Sequence, residues 1–559
     1  MKILTQENLF LFSKDRCLIM VKKGVIKKCC NMAMENILYE GTTDVDLFSR
    51  PFEIEMLKNE YLKKELCGII VTSIMTGKLS ELKLHKLGHV LLPKKSLSDY
   101  RKCALTEVYD EIVYLTLVLI IAGDIEKLRI SKSKNRVFSY RFLPQENKAV
   151  FDSQYNYTAF RKEITRKSVM SKNKVMVECD ISNFYDRLNI HRVESILRSS
   201  DKIDEDIIGL INEILLFWAN RDSYGLPVGS NASRILAEAA LIEVDNFLLS
   251  KKIDFCRFVD DYRIFAKDAY TAHSHLAILV HCLNREGIFL NTQKTRIKDI
   301  SDRFLIKRDD NINSTKEQEN INGIDDDREN FQGEKGKIIR GYSGLIPTKF
   351  KELSEKQKEK LCENDLNELL NKAEDSLIIE PEEITKLIRT MVAQEKYNEL
   401  EKMPSILKKF PQFIPYFVDV LLKKGENISK KGKENIQKEY EEWFDEDTPE
   451  YIQVYLVRIF ASEIFNNKDV LLNLFRKLKR NSGDYIGRAL LEALNGKLTR
   501  GELLEIREYF YRADNWERRQ IVKLIDEGFS DGEKRPFYKD ISIYTDDIWI
   551  KYMLKNNNK

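Results

Sequence analysis

The sequence lacks several features that mark whole classes of protein. Its nine cysteines form no CxxC pair and no metal-ligand spacing, and Cys29 and Cys30 are adjacent, which fits neither a zinc site nor a disulfide framework. The longest apolar run, Ile112 to Ala122, is about half as long as a bilayer span requires. Charged residues at positions 7, 14, 15 and 16 interrupt any apolar core near the start, so we expect no signal peptide. These absences favour a reduced cytoplasmic protein without a membrane span.

A large net charge is also missing, because 92 Lys and Arg nearly balance 89 Asp and Glu, leaving +3. Any attraction to nucleic acid must therefore be local. Between Lys127 and Lys174 thirteen Lys and Arg face three acidic residues, with seven Phe and Tyr interleaved. That mixture is typical of a surface that stacks bases and neutralises phosphates. A packed edge with a solvated basic face is the alternative.

The length of 559 residues predicts two or three domains. Residues 1–100 carry no motif that indicates a chemistry, and residues 101–305 carry all the motifs described below. Polar runs over residues 306–350 predict a linker or insertion. Residues 351–559 show short amphipathic helices at intervals compatible with a degenerate α-solenoid, with an irregular helical bundle as the alternative.

One stretch, Phe255 to Phe265, reads as two short β-strands joined by an acidic turn at Asp260 and Asp261. Two adjacent carboxylates repel each other unless a cation neutralises them, and a hard divalent ion with oxygen ligands is the natural candidate. A surface hairpin with a solvated Asp-Asp tip is the other interpretation.

A third carboxylate ends another short strand at Asp180, eighty residues before Asp260. Nucleotidyl transfer needs divalent ions bridged by carboxylates from separate elements of structure. Asp180 and Asp260 meet that requirement if the hairpin lies beside the end of the earlier strand.

Four segments in this order resemble the motifs of reverse transcriptases. They are Asp180-Ile-Ser-Asn-Phe-Tyr-Asp186 for motif A, Gly225-Leu-Pro-Val-Gly-Ser-Asn-Ala-Ser233 for motif B, Phe258-Val-Asp-Asp261 for motif C and Leu290-Asn-Thr-Gln-Lys294 for motif D. Each is weak by itself, but the order and the distances between them make a strong signal. The resemblance covers roughly residues 100–305.

The resemblance implies an α/β right-hand polymerase fold of fingers and palm, followed by an all-α, HEAT-like C-terminal domain. Asp180, Asp260 and Asp261 would be the catalytic carboxylates, with Asp261 peripheral. Asp180, Asp260 and the carbonyl of Ile181 would bind Mg²⁺, or Mn²⁺ in its place. Tyr185 occupies what resembles the steric-gate position, which implies deoxynucleoside triphosphates as substrates and DNA as the product. A core aromatic under the sheet is the alternative for Tyr185.

Four further residues are candidates for substrate binding. Gly229 and Ser233 lie in motif B, and Lys294 resembles the motif D lysine that donates a proton near the leaving pyrophosphate. Arg141, in the presumed fingers, could pair with the triphosphate through its fork of donors. The alternative for Lys294 is a solvated lysine at a strand end, and the alternative for Arg141 is an ordinary surface arginine.

The sequence departs from most reverse transcriptases at Val228, where they have Gln. Since Val cannot donate the hydrogen bonds that Gln makes, we expect nucleotide and template handling to differ from the retroviral pattern. This form of motif B resembles the bacterial abortive-infection and defence-associated reverse transcriptases. Some members of that group extend DNA without a template and prime from a protein hydroxyl. We therefore expect an antiphage DNA polymerase that binds nucleic acid, with template, primer and homo-oligomerisation open. The alternatives are an RNA-templated enzyme of a mobile element and a non-catalytic nucleic-acid-binding scaffold.

Overall fold

The computed structural model describes residues 21–43, 51–94, 100–146, 148–220, 222–301, 331–332, 338–339, 347–377, 379, 381–444, 448–478 and 485–556. These residues form two compact units. The first contains residues 21–89 and 102–301 with the short strands at 331–332 and 338–339, and the second contains residues 90–94, 100–101 and 347–556. The linker predicted over residues 306–350 lies almost wholly outside the described residues.

Helices make up most of the first unit. They are α1 (Lys23–Glu40), α2 (Phe52–Met56), α3 (Glu60–Met75), α4 (Val108–Leu128), α5 (Tyr157–Ser168), α6 (Phe184–Arg187), α7 (Ile190–Arg198), α8 (Glu205–Trp218), α9 (Asn231–Ala240), α10 (Ile242–Ser250) and α11 (Ala269–Arg285). Helix α4 is apolar around nearly its whole circumference and packs against α1, α8 and α9. A helix with that composition is stable only when buried on all sides, and α4 is accordingly the centre of this unit.

The strands of the chain are short. They are β1 (Gly88–Pro93), β2 (Tyr100–Leu105), β3 (Val175–Asp180), β4 (Asp254–Phe258), β5 (Asp261–Ala266), β6 (Arg296–Asp299), β7 (Phe331–Gln332) and β8 (Ile338–Ile339). Four of them form an antiparallel sheet in the order β4-β5-β3-β6, and the others pair as β1-β2 and β7-β8. We call the four-stranded sheet the palm sheet.

Two elements differ from the sequence-based expectation. The small and apolar residues of 232–249 predict one long helix, whereas the structure has two, α9 and α10, which meet at Leu241. The sequence from Gly287 to Lys294 predicts a turn followed by a strand. In the structure this strand is reduced to one bridge between Ile181 and Leu290, and the regular strand begins later, at Arg296. Gly287 has a φ of 73°, so the turn itself lies where the glycine predicted it.

Helices also dominate the second unit, as the sequence predicted. They are α12 (Glu355–Cys362), α13 (Leu366–Asp375), α14 (Pro381–Ala393), α15 (Met403–Leu407), α16 (Ile414–Lys424), α17 (Lys430–Glu441), α18 (Glu450–Ala461), α19 (Lys468–Leu478), α20 (Tyr485–Ala493), α21 (Arg500–Tyr509), α22 (Asn515–Gly528), α23 (Asp531–Tyr544) and α24 (Ile548–Asn556). Capping boxes begin α12, α21, α22 and α23, each with Ser, Thr or Asp at the cap and Glu or Gln three residues later.

The helices of this unit pack in sequence order. Helix α16 packs against α18, α18 against α20, α20 against α22, and α22 against α24. Helices α19 and α21 fill the positions between them through contacts with their neighbours in sequence. None of the helices described in either unit combines the length and apolar character that crossing a bilayer requires.

Candidate active site

The palm sheet brings the predicted carboxylates together at one end. Strands β3 and β5 are antiparallel, and their register places Asp180 directly opposite Asp261. Asp260 occupies the turn just before β5, and its carbonyl oxygen accepts a hydrogen bond from the backbone N–H of Ile181 at 3.1 Å. The segment after β3 is thereby fixed to the acidic turn. The hairpin is part of a four-stranded sheet, and Asp260 and Asp261 are each partly buried at its end.

The motif D segment closes the same end of the sheet. The backbone N–H of Asn291 donates to the carbonyl of Asp180 at 2.7 Å, and that of Ser182 donates to the carbonyl of Phe289 at 2.8 Å. This pairing places the ammonium of Lys294 3.1 Å from Oδ2 of Asp180. The Lys294 side chain is otherwise 65% exposed, so it reaches the carboxylate from the solvent side.

The electrostatic field at Asp180 reflects its neighbours. Burial and the nearby Asp261 raise the pKa of Asp180, whereas Lys294 and Arg263 act in the opposite direction, and the net result is a raised pKa. A carboxylate in this position gains from a cation beside it. The ammonium of Lys294 already supplies part of that positive charge.

The side chains at this end of the sheet offer oxygen donors to a metal ion. Within the described ranges, no three His, Cys, Asp or Glu side chains are clustered as a ready-made metal site. The groups that do meet here are carboxylates and the backbone carbonyl of Ile181, and hard divalent cations prefer oxygen ligands of this kind. The residue types therefore fit Mg²⁺ or Mn²⁺, although the side chains that the structure describes are not gathered around one point as in a preformed metal site.

Tyr185 lies on the short helix α6, near the end of motif A. Its ring is half-buried and makes an edge-to-face contact with Phe184 at 5.6 Å. Burial, with the adjacent Tyr140, raises the pKa of Tyr185 well above the ordinary tyrosine value. The backbone carbonyl of Tyr185 accepts a hydrogen bond from Leu226 at 3.0 Å, which ties motif A to the motif B loop. Its role as a steric gate stays a prediction.

The motif B loop depends on glycines with left-handed backbones. Gly225 has a φ of 96° and Gly229 a φ of 118°, and a Cβ atom at Gly229 would lie 2.7 Å from Oγ1 of Thr43. A side chain at Gly229 would therefore both strain the backbone and collide with Thr43. The carbonyl of Val228 accepts a hydrogen bond from Ala104 at 3.0 Å, so the loop is anchored to β2.

Helix α9, which follows the loop, is held by α4. Ser230 caps α9, and its hydroxyl donates to Oε1 of Glu111 at 2.5 Å. Burial raises the pKa of Glu111 to about 8. Ser233 is completely buried, and its Oγ lies 3.2 Å from the hydroxyl of Tyr114. In this structure Ser233 packs α9 against α4, and contact between Ser233 and a substrate stays a prediction.

Arg141 differs from the surface arginine that was the alternative to triphosphate binding. Its side chain is 2% exposed, and Nη2 contacts Glu126 at 2.6 Å and the carbonyl of Ile130 at 2.9 Å. Burial, together with Arg129, lowers the pKa of Arg141. Its Nε and Nη1 are buried without a hydrogen-bond partner among the described residues. Donors therefore remain for another acceptor, although binding of a triphosphate by Arg141 stays a prediction.

The basic, aromatic segment corresponds to the packed edge rather than to a base-stacking surface. Phe138 and Phe160 are buried and lie 6.2 Å apart between ring centroids, and Tyr157 packs edge-to-face on Phe258 at 5.3 Å. These rings pack in the core that α5 forms with the palm sheet, and the expectation that aromatic rings of this segment stack bases is wrong for Phe138, Tyr157 and Phe160. The exposed cations of this segment are Lys127, Lys134, Lys148, Arg161, Lys162, Arg166, Lys172 and Lys174.

A buried charged network under the acidic turn was not anticipated. Arg257 on β4 is bound by Asp245 of α10 and Glu238 of α9, and Arg129 binds the same Glu238 at 2.5 Å. Although burial acts to raise it, Arg257 and Arg129 hold the pKa of Glu238 below its usual value. The available sequence signal was an arginine inside the apolar run Phe-Cys-Arg-Phe that ends at Phe258, because charges are rarely placed in such runs unless they are paired.

Comparison with known proteins agrees with this geometry. Residues 122–319 match the family described as "Reverse transcriptase (RNA-dependent DNA polymerase)". The chain therefore contains a reverse transcriptase domain, which is a polymerase domain of the nucleotidyltransferase class. A comparison with curated proteins finds no match.

Among solved structures, the chain is similar to telomerase from Candida albicans in complex with the TWJ fragment of telomeric RNA. The two share 15% sequence identity with a TM-score of 0.29, over 68% of this chain and 63% of the telomerase chain. The chain thus spans less than two thirds of that protein. A likeness of this size does not define the function of the chain.

Proposed function

We propose that this chain is a DNA polymerase of the reverse-transcriptase type, which adds deoxynucleotides to a growing 3′ end. One observation carries the proposal. Asp180 and Asp261 face each other across β3 and β5, with Asp260 in the adjoining turn and Lys294 at 3.1 Å from Asp180. This arrangement lies inside the reverse transcriptase domain.

The proposed cofactor is Mg²⁺, with Mn²⁺ as a substitute. Such an ion, when bound, activates the attacking 3′-hydroxyl and neutralises charge on the triphosphate. Asp180 and Asp260 would hold it with their carboxylates, the carbonyl of Ile181 would add a further oxygen, and Asp261 would remain at the edge. Lys294 would donate a proton to the pyrophosphate as it leaves.

The substrate side of the proposal concerns four other residues. Tyr185 would exclude a ribose 2′-hydroxyl and so select deoxynucleoside triphosphates, and Gly229 would let the motif B backbone approach the incoming nucleotide. Nε and Nη1 of Arg141, which have no hydrogen-bond partner within the described ranges, would donate to the triphosphate oxygens. Ser233 would contribute indirectly, because it holds α9, and with it the motif B loop, against α4.

Nucleic acid is the proposed partner. The exposed cations on α5 and just after it, from Arg161 to Lys174, would neutralise backbone phosphates, which gives binding without sequence preference. The DNA product would lie along this face, whether an RNA template is copied or synthesis proceeds without one.

We also propose that the chain is one of the defence-associated reverse transcriptases of bacteria and acts in the cytoplasm. A protein hydroxyl is one candidate for the primer to which the first nucleotide is added. The support for this proposal is the form of motif B around Val228 and the sequential packing of α16 to α24, which is compatible with a HEAT-like repeat domain. Such a domain would offer a large face for a second copy of the chain. An RNA-templated enzyme of a mobile element is the closest rival, and a non-catalytic scaffold is the rival from another class.

The test is incorporation of labelled deoxynucleotides by purified full-length protein with an RNA template, with a DNA template and without a template. We expect incorporation with Mg²⁺ in at least one arm, and its loss in Asp180→Asn. Protease digestion of the product then distinguishes DNA attached to protein from free DNA. Nucleic-acid binding without incorporation in any arm would favour the scaffold and contradict the proposal.

A further inference from the structure

The turn that carries Asp260 has a backbone conformation that its sequence disfavours. Val259, the residue before Asp260, has a φ of 55°. A β-branched residue rarely adopts this left-handed conformation, because Cβ crowds the backbone. Such a conformation persists only where the surroundings hold it, and it recurs at functional sites.

Both backbone polar groups of Val259 are held by buried side chains. Its N–H donates to Oγ of Ser139 at 2.9 Å, and its carbonyl oxygen accepts from Nη1 of Arg257 at 2.7 Å. Ser139 comes from the segment before α5, and Arg257 comes from β4. The turn is therefore gripped from two separate parts of the chain.

The guanidinium of Arg257 is itself immobilised. It is 0% exposed, its Nε and Nη2 lie 3.0 and 2.6 Å from the two oxygens of Asp245, and its Nη2 also lies 2.9 Å from Oε2 of Glu238. The hydroxyl of Tyr262 donates to Asp245 at 3.0 Å. A planar fork bound to two carboxylates has one orientation, which fixes the direction of the donor to Val259.

Ser139 is fixed in the same network. Its hydroxyl donates to Oε1 of Glu238, and its carbonyl oxygen accepts from Nη2 of Arg129 at 2.8 Å. Two arginines thus face two carboxylates without access to water. Buried ion networks contribute little to stability compared with apolar packing, and their better attested use is to specify one arrangement.

We propose that Ser139, Glu238, Asp245 and Arg257 form a clamp that holds Val259 in its left-handed conformation and so positions Asp260 beside Asp180. The inference rests on the proposed function, since the position of Asp260 matters to the reaction through the metal that it would bind. These are positioning residues, because their contacts are to the turn and to one another. A loosened clamp would leave the palm sheet intact and misplace one metal ligand.

Ser139→Ala is the primary test, because it removes one hydroxyl and leaves the charges in place. Hydrogen exchange over residues 255–262 should become at least tenfold faster in this variant, while the remainder of the palm sheet keeps its protection. The dissociation constant for Mn²⁺, measured by electron paramagnetic resonance, should rise at least fivefold. Ser168→Ala is the matched control, since Ser168 is a buried serine at the end of α5, and it should leave both quantities unchanged.

A second substitution tests the strain directly. Asn adopts the left-handed region more readily than Val, so Val259→Asn in the Ser139→Ala background should restore much of the exchange protection and Mn²⁺ affinity. Should Ser139→Ala not fold, Tyr262→Phe removes only the hydroxyl that supports Asp245 and should give a smaller change in the same direction.

The outcomes separate this inference from the proposed function. Wild-type exchange over residues 255–262 in both folded Ser139→Ala and Tyr262→Phe would overturn the clamp, whatever the activity. If Val259→Asn reverses the faster exchange of Ser139→Ala while wild-type protein incorporates no nucleotide, the clamp would be supported and the polymerase contradicted. Faster exchange that Val259→Asn leaves unchanged would also overturn the clamp, because strain at Val259 would then not be what the network resists.

Discussion

At the scale of single residues, the chemistry of the site depends on how each carboxylate is balanced by charge. Asp180 has Asp261 opposite it and Lys294 at 3.1 Å, so the two neighbours act on its ionisation in opposite directions. Its pKa is raised overall. A cation can bind Asp180 only in its ionised form, so metal affinity should fall as the pH drops through a range above that of an ordinary aspartate.

Lys294→Ala should move this acid limit to higher pH, because Lys294 is among the groups that lower the pKa of Asp180. Incorporation at neutral pH should fall by about 100-fold if Lys294 also donates the proton. Lys294→Arg separates the two effects: it keeps the positive charge, hence the acid limit, but cannot release a proton at neutral pH. The measurement is the pH profile of single-nucleotide incorporation. Identical profiles for all three proteins would contradict the assignment of Lys294.

Tyr185→Ala should admit ribonucleotides by removing the ring that would meet the 2′-hydroxyl. Preference for deoxynucleotides should fall by about 10- to 100-fold, the range expected for one shape contact in a pocket. Tyr185→Phe keeps the ring and should keep the preference. Competition between labelled dNTP and rNTP measures the ratio, and unchanged sugar selection in Tyr185→Ala would remove Tyr185 from the gate position.

At the scale of elements, the sequence predicted the strands and turn that carry the carboxylates better than the helices and ion pairs that hold them in place. The hairpin around Asp260 and the end of β3 at Asp180 followed from apolar runs and acidic interruptions, because these patterns are local. The division between α9 and α10 at Leu241 and the partners of Arg257 did not follow, since both depend on contacts between distant parts of the chain. For the same reason, the aromatic rings of the basic segment could not be distinguished from base-stacking rings until their packing was known.

Strand β4 begins at a carboxylate that binds three cations. Asp254 forms ion pairs with Arg136 and Lys167 and lies 3.2 Å from Lys172. Although burial acts to raise it, Lys167 and Arg136 lower the pKa of Asp254 to about 2. A depressed carboxylate pKa stabilises the folded state above the unfolded pKa, and the contribution is lost as the pH falls towards 2.

Asp254→Asn should therefore destabilise the first unit by about 2 kcal/mol at neutral pH, from the size of the pKa shift. The difference from wild type should shrink as the pH is lowered, because the wild-type carboxylate becomes protonated as well. Thermal unfolding across a pH series measures it, with Asp201→Asn at an exposed position as the control. A midpoint that Asp254→Asn leaves unchanged at neutral pH would show that the ion pairs around Asp254 contribute no stability.

At the scale of the whole molecule, a reverse transcriptase domain precedes a series of helices that pack in sequence order. The sequence predicts a division near residue 305, because its motifs and predicted strands end before that residue and amphipathic helices follow. It could not define what the helical unit binds, since repeated amphipathic helices record how neighbours pack and not which partner they meet. The proposed polymerase activity therefore depends on residues of the first unit.

The most direct measurement of the central claim is single-nucleotide incorporation by wild type, Asp260→Asn and Asp201→Asn under identical Mg²⁺ conditions. Both substitutions remove one carboxylate from the first unit, but only Asp260 lies in the turn that adjoins Asp180. The account predicts incorporation by wild type and Asp201→Asn and its loss, by at least about 1,000-fold, in Asp260→Asn, as expected when a metal ligand is removed. Incorporation by folded Asp260→Asn at the wild-type rate would contradict it.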